Sequence, residues 1–218
     1  MKINIKQLVL IGTASLLLSG CFASKEELVL YKSKQEWVKD INFKIEDQEF
    51  DLAFEAYEQF HLEHPGAVKE LKSLILKLAD KYDQELEYIK SIRLLDIYLK
   101  KYATKTEKED IVFKQIISKY NRLDRANHNY VLLSETIKNI EELKPMFNNK
   151  EYIKELNEIH NKLILRKSEY DATISNFYEK KGNEYGTKLY SNKVKVDTTN
   201  IDRKSYQPYK VWHSDFID

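Results

Sequence analysis

FDLAFEAYEQFHLEHP, residues Phe50–Pro65, decides how the rest of the chain is read. Ala53, Tyr57 and Phe60 fall at i, i+4 and i+7, so a helix over this stretch puts them on one face. The small residue lets a second helix come close, and the two rings fill the space beyond it. Pro65 ends the helix, because it lacks an N–H and pushes His64 out of the helical region. A small residue, two aromatics and a proline at these offsets mark the second helix of a hairpin. The first helix should then carry a large residue 28 positions before the proline, where Trp37 stands, followed by Ile41 and Ile45 on the same face. Ser33 and Glu36 form a capping box that starts this helix, and Asp47-Gln48-Glu49 is the turn.

The pattern returns 38 residues later. Trp37, Ile41 and Lys44 become Ile75, Ala79 and Tyr82; Ala53, Tyr57, Phe60 and Pro65 become Ser91, Leu95, Tyr98 and Ala103. A third first helix follows after another 38, at Phe113, Ile117 and Tyr120. Its partner is read 45 residues after the second one, at Thr136, Ile140, Leu143 and Asn148, which predicts a longer polar loop around Arg122–Asn129. Helix pairs at a fixed period are the signature of tetratricopeptide-like repeats, in which each pair buries its apolar face on the next and leaves a groove. A plain helical bundle is the alternative reading of the same spacing.

After residue 148 the pattern changes. Tyr152, Leu156, Ile159, Leu163, Tyr170, Ile174, Phe177 and Tyr178 form one stripe without an internal Gly or Pro, so Asn149–Lys181 is predicted as a single long helix closed by Gly182. A shorter helix is expected over about Asn183–Asn192. The end of the chain shows no helical period and carries Tyr206, Tyr209, Trp212 and Phe216, which suit either a cap on the helices or a docking segment. The expected layout is residues 33–148 as three helix pairs, 149–194 as the long helix and its partner, and 195–218 as an irregular tail. The fold class is all-α.

Composition agrees. Three prolines and five glycines in 218 residues leave little material for the tight turns of a sandwich or barrel. A net charge of +1 gives no pull toward nucleic acid. Residues 1–20 are a separate element: Lys2 and Lys6 precede the apolar run Leu8–Leu18, too short for an ordinary transmembrane helix and suited to a cleaved signal peptide. The run ends Leu18-Ser19-Gly20-Cys21, with the only cysteine of the chain. It resembles a bacterial lipobox, in which the cysteine is lipidated and becomes the first mature residue. Residues 21–32 would then be a tether, and several acyl chains on Cys21 would hold the protein on a membrane without spanning it.

Catalytic chemistry is hard to find. His61 and His64 lie three apart on one helix, but no cysteine joins them and helix-surface roles explain both. No nucleophile elbow or phosphate-cradling glycine loop occurs. The reading is therefore not an enzyme, with no metal and no cofactor beyond the lipid on Cys21.

The order of these features resembles the BamD (YfiO/ComL) family of outer-membrane assembly lipoproteins: lipobox, short tether, tetratricopeptide-type pairs, an enlarged third pair and a long helix. Tyr152 after the third-pair turn and Asn176-Phe177-Tyr178-Glu179-Lys180-Lys181-Gly182 carry the likeness further, over most of Cys21–Val194. The short form and the Lys/Asn/Ile/Tyr-rich composition are similar to members from the Campylobacter and Helicobacter group. The resemblance implies a scaffold lipid-anchored to the periplasmic face of the outer membrane. It implies binding of unfolded outer membrane proteins in the groove, and docking of the C-terminal half on the POTRA domains of a BamA-like barrel insertase. Candidate groove residues are Trp37, Lys44, Tyr57, Tyr82 and Tyr98; candidate docking residues are Tyr178, Tyr185, Tyr190 and Trp212. The alternative is a helical envelope or surface lipoprotein with a different protein partner.

Overall fold

The computed structural model describes residues 32–125 and 129–197. Cys21, the signal segment, most of the tether and Trp212 lie outside them. The described chain is a run of helices: α1 (Lys34–Glu46), α2 (Phe50–Glu63), α3 (Val68–Gln84), α4 (Tyr88–Lys101), α5 (Lys108–Arg125), α6 (Tyr130–Leu143), a 3-10 turn (Lys144–Met146), α7 (Lys150–Lys180) and α8 (Glu184–Asp197).

The repeat is exact in the backbone. The α1–α2 turn puts Gln48 at φ 63°, and the α3–α4 turn puts Leu86, 38 residues on, at φ 66°. The bond from Glu49 N–H to the Lys44 carbonyl recurs from Glu87 to Tyr82, both at 2.8 Å. These left-handed residues end the first helix and aim the chain into the second. Ala53, Tyr57 and Phe60 are buried to within 2% of completely, as are Ser91, Leu95 and Tyr98. The first helices also neighbour one another. Lys34 pairs with Glu70 at 2.9 Å and Lys77 donates to Asn42 at 2.6 Å, joining α1 to α3; Lys114 pairs with Asp80 at 2.7 Å, joining α3 to α5. Stacked helical hairpins, not a plain bundle, are what the sequence builds.

The third hairpin corrects the expected register. α2, α4 and α6 are each 14 residues long and begin at Phe50, Tyr88 and Tyr130, so the last step is 42 residues. Leu133, Ile137 and Ile140 then match Ser91, Leu95 and Tyr98, and Pro145 falls where Pro65 falls in the first pair. Residues Arg122–Arg125, expected to be loop, continue α5 as just over one more helical turn. The predicted placement of Thr136 and Asn148 is therefore shifted by three residues. Thr136 is still buried, matching Leu94, and its hydroxyl donates to the Leu132 carbonyl.

Two apolar clusters meet on α5. Ile111 belongs to the cluster that starts at Trp37, and Ile116 and Leu123 to the one that runs to Tyr170. Each buried Ile, Leu or Val contributes about 1.5–3 kcal/mol relative to exposure. Between them sit buried Gln115, bonded to Asp96 at 2.6 Å, and Ser118, bonded to Asp83. α7 runs without interruption to Gly182 at φ 68°. There Asn183 N–H reaches the Tyr178 carbonyl and Gly182 N–H the Glu179 carbonyl, both at 2.9 Å, which is a Schellman cap. Asn183 also caps α8 through Gly186 N–H. α8 was expected to stop near Asn192 but continues to Asp197.

Candidate functional site

Most of the expected groove residues prove to be core. Trp37, Tyr57, Tyr82 and Tyr98 are 8%, 2%, 3% and 2% exposed. Their polar ends reach partners at the rim: Trp37 Nε1 donates to Glu63 at 2.8 Å, Tyr82 donates to Asp51 at 2.7 Å, and the Tyr57 and Tyr102 hydroxyls lie 2.9 Å apart. Burial and these bonds raise the Tyr57 and Tyr82 hydroxyls above the ordinary tyrosine range, so both stay neutral. Lys44 is half-buried and held by Asp40 one turn earlier. The residues that define the repeat are buried because they define it, and a peptide cannot reach them.

Two accessible clefts lie one layer further on, along the first helices. One, of about 370 Å³, opens between α3, α4, α5 and α7, with Leu95, Phe113 and Ile117 beneath Asp80, Asp83 and Glu155. A second, of about 520 Å³, continues between α5 and α7 over Ile117, Tyr120 and Ile159, with Glu151, Glu155 and Glu158 among its polar rim. Ile117 and Glu155 line both, so the clefts join. Phe113 is stacked on Tyr152 of α7 at 4.0 Å, which fixes the floor. Glu109 accepts the backbone N–H groups of Asn148 and Asn149 at 2.8 and 2.6 Å and pins the start of α7 beside α5. Phe113, Ile117 and Tyr120, expected to mark the third first helix, lie on α5 half-buried; they pack against the second apolar cluster and also floor the groove.

The second surface is the α7–α8 end. The Tyr178 and Tyr190 rings stack at 5.8 Å, and Lys193 lies over Tyr190 at 4.4 Å. Gly186 presses on the Tyr178 ring so closely that a Cβ there would sit 2.5 Å from its Cγ. Tyr178 and Tyr190 thus tie α8 to α7. Tyr185 and Leu189, at i and i+4 on α8, stay 79% and 42% exposed, and Phe177 39%. Among the described residues, Tyr185 is the one expected docking residue that is mostly in solvent.

His61 and His64 do not converge. His61 Nε2 lies 3.0 Å from Lys101 Nζ, and His64 packs its ring on Phe60. Burial and then the Lys101 charge hold His61 below the usual histidine range. Among the described residues no group of three or more His, Cys, Asp or Glu could hold a metal, and no helix is long and apolar enough to cross a membrane.

The fold and its two exposed surfaces define a tetratricopeptide-like stack of helical hairpins carrying a long groove and an apolar end. No family model matches the chain. It is 22% identical over 207 residues to the outer membrane protein assembly factor BamD of Helicobacter pylori, covering 94% of this chain and 90% of that protein. The similarity runs over nearly the full length of both proteins.

Proposed function

We propose that the chain is a lipid-anchored, non-enzymatic scaffold of a β-barrel assembly machinery on the periplasmic face of the outer membrane. The observation that carries this reading is the alignment over nearly the whole length of both proteins, in a chain built of successive helical hairpins, the first two in the same register. Lipid on Cys21 would supply the anchor. Unfolded outer membrane proteins would lie on the helix face, and the POTRA domains of a BamA-like insertase would dock on the α7–α8 end around Tyr185 and Leu189.

Tyrosine offers rigid contact area with a polar rim, which suits it to such an interface. Affinity purification of the tagged chain from its own membranes tests the reading: a barrel protein with POTRA domains should co-purify. Loss of that protein with Tyr185→Ala would place the contact on α8. Recovery of an unrelated envelope protein instead would favour the helical-lipoprotein alternative.

A further inference from the structure

The joined groove of α3, α5 and α7 has a definite charge. Five carboxylates line it (Asp80, Asp83, Glu151, Glu155 and Glu158) against three ammonium groups, those of Lys114, Lys154 and Lys162. Lys114 is already committed to Asp80 at 2.7 Å. Glu155, shared by both clefts, makes no hydrogen bond or ion pair among the described residues. Under this rim lies an apolar floor of Leu95, Phe113, Ile117 and Ile159. Neighbouring helices pack 8–10 Å apart, so two helix spacings give a track of ~20 Å, about six residues of extended chain.

We propose that this groove holds a short extended polypeptide segment bearing a lysine or arginine beside an aromatic side chain. The ring rests on Phe113 and Ile117, and the cation faces Glu155. This deepens the scaffold reading and rests on it: it names which unfolded segments the helix face selects. In an extended segment residues i and i+2 share a side, so ring and cation can enter together when one residue separates them. An acidic residue in the cation's place meets a surplus of carboxylates and is rejected, which makes the groove selective by repulsion as well as by attraction.

The test uses the full chain in detergent and two labelled octapeptides, read by fluorescence anisotropy. The peptides share a phenylalanine and differ only in carrying lysine or glutamate two positions later. The lysine peptide should bind about tenfold tighter, the sum of an attraction gained and a repulsion avoided at a partly exposed site. Glu155→Lys should abolish or invert the preference. Glu135→Lys, on α6 in a separate cleft, should leave it intact. Both positions are exposed, so thermal unfolding should be unchanged.

Equal affinity for the two peptides, no binding of either, or a preference untouched by Glu155→Lys would each overturn the proposal. A fall in barrel-protein levels on depletion, alongside any of those results, would show that the scaffold reading stands and the groove assignment alone has failed.

Discussion

Gly186→Ala should destabilise the protein in one background and stabilise it in another. At Gly186 a Cβ would lie 2.5, 2.7 and 2.8 Å from three atoms of the Tyr178 ring. Such distances are impossible in a relaxed structure, so either the ring or α8 must move. Tyr190 stacks with that ring, which restricts its retreat. Overpacking of this kind costs about 1–3 kcal/mol. Alanine in place of glycine within a helix returns about 0.5–1 kcal/mol. The net effect in the wild type is a loss of up to about 2.5 kcal/mol. With Tyr178→Ala already in place the clash is gone, and the same substitution should raise stability by about 0.5–1 kcal/mol. Urea unfolding of the four proteins, followed by far-ultraviolet circular dichroism, gives the coupling directly. If Gly186→Ala stabilised both backgrounds equally, α8 would not be seated on Tyr178 as described, and the exposed face of Tyr185 and Leu189 would have no fixed position.

Three further outcomes are expected. Glu107 closes a capping box with Thr104 at the start of α5 and binds Lys72 of α3 at 2.6 Å; the Lys72 bond, then the Thr104 bonds, hold its carboxyl down from 4.5 to about 2. A depressed acid stabilises the fold above its ordinary range, so the gap in urea midpoint between wild type and Glu107→Gln should be constant above pH 4.5 and close as pH falls to about 2. Phe60→Ala, at a fully buried position, should cost about 3–5 kcal/mol, whereas Tyr185→Ala should leave the melting temperature unchanged. Leu86 holds a left-handed conformation at φ 66° and is 41% exposed, so Leu86→Gly should stabilise by about 1 kcal/mol in chemical denaturation.

The first two hairpins were legible because their pattern residues are also their packing residues. Ala53 and Ser91 admit the neighbouring helix, and the rings at Tyr57, Phe60 and Tyr98 fill the gap; period and burial report the same fact. The third hairpin was misplaced because seven extra residues were read into one polar loop, whereas there are four, two between α4 and α5, one in α5 and one before α6. Arg122 and its neighbours are polar, but α5 simply extends through them, and helical surface and loop share that composition. Pro145 held the correct register and was overlooked. The groove was hardest to read. Large residues at helical spacing find their burial first, so Trp37, Tyr57, Tyr82 and Tyr98 went to the core. The surface that remains comes from Phe113 and Ile117 on α5 and Glu155 on α7, and no sequence period links the two helices. At the far end Tyr178 and Tyr190 were singled out as docking residues by their aromatic character; they pack α8 on α7, and the closeness of Gly186 to Tyr178 depends on how two helices cross.

The most direct measurement is the amount of folded barrel protein in the outer membrane after the chain is depleted from its own cells. The account predicts that heat-modifiable, folded barrels fall while unrelated lipoproteins hold their level. Barrel levels that stay unchanged through depletion would contradict it.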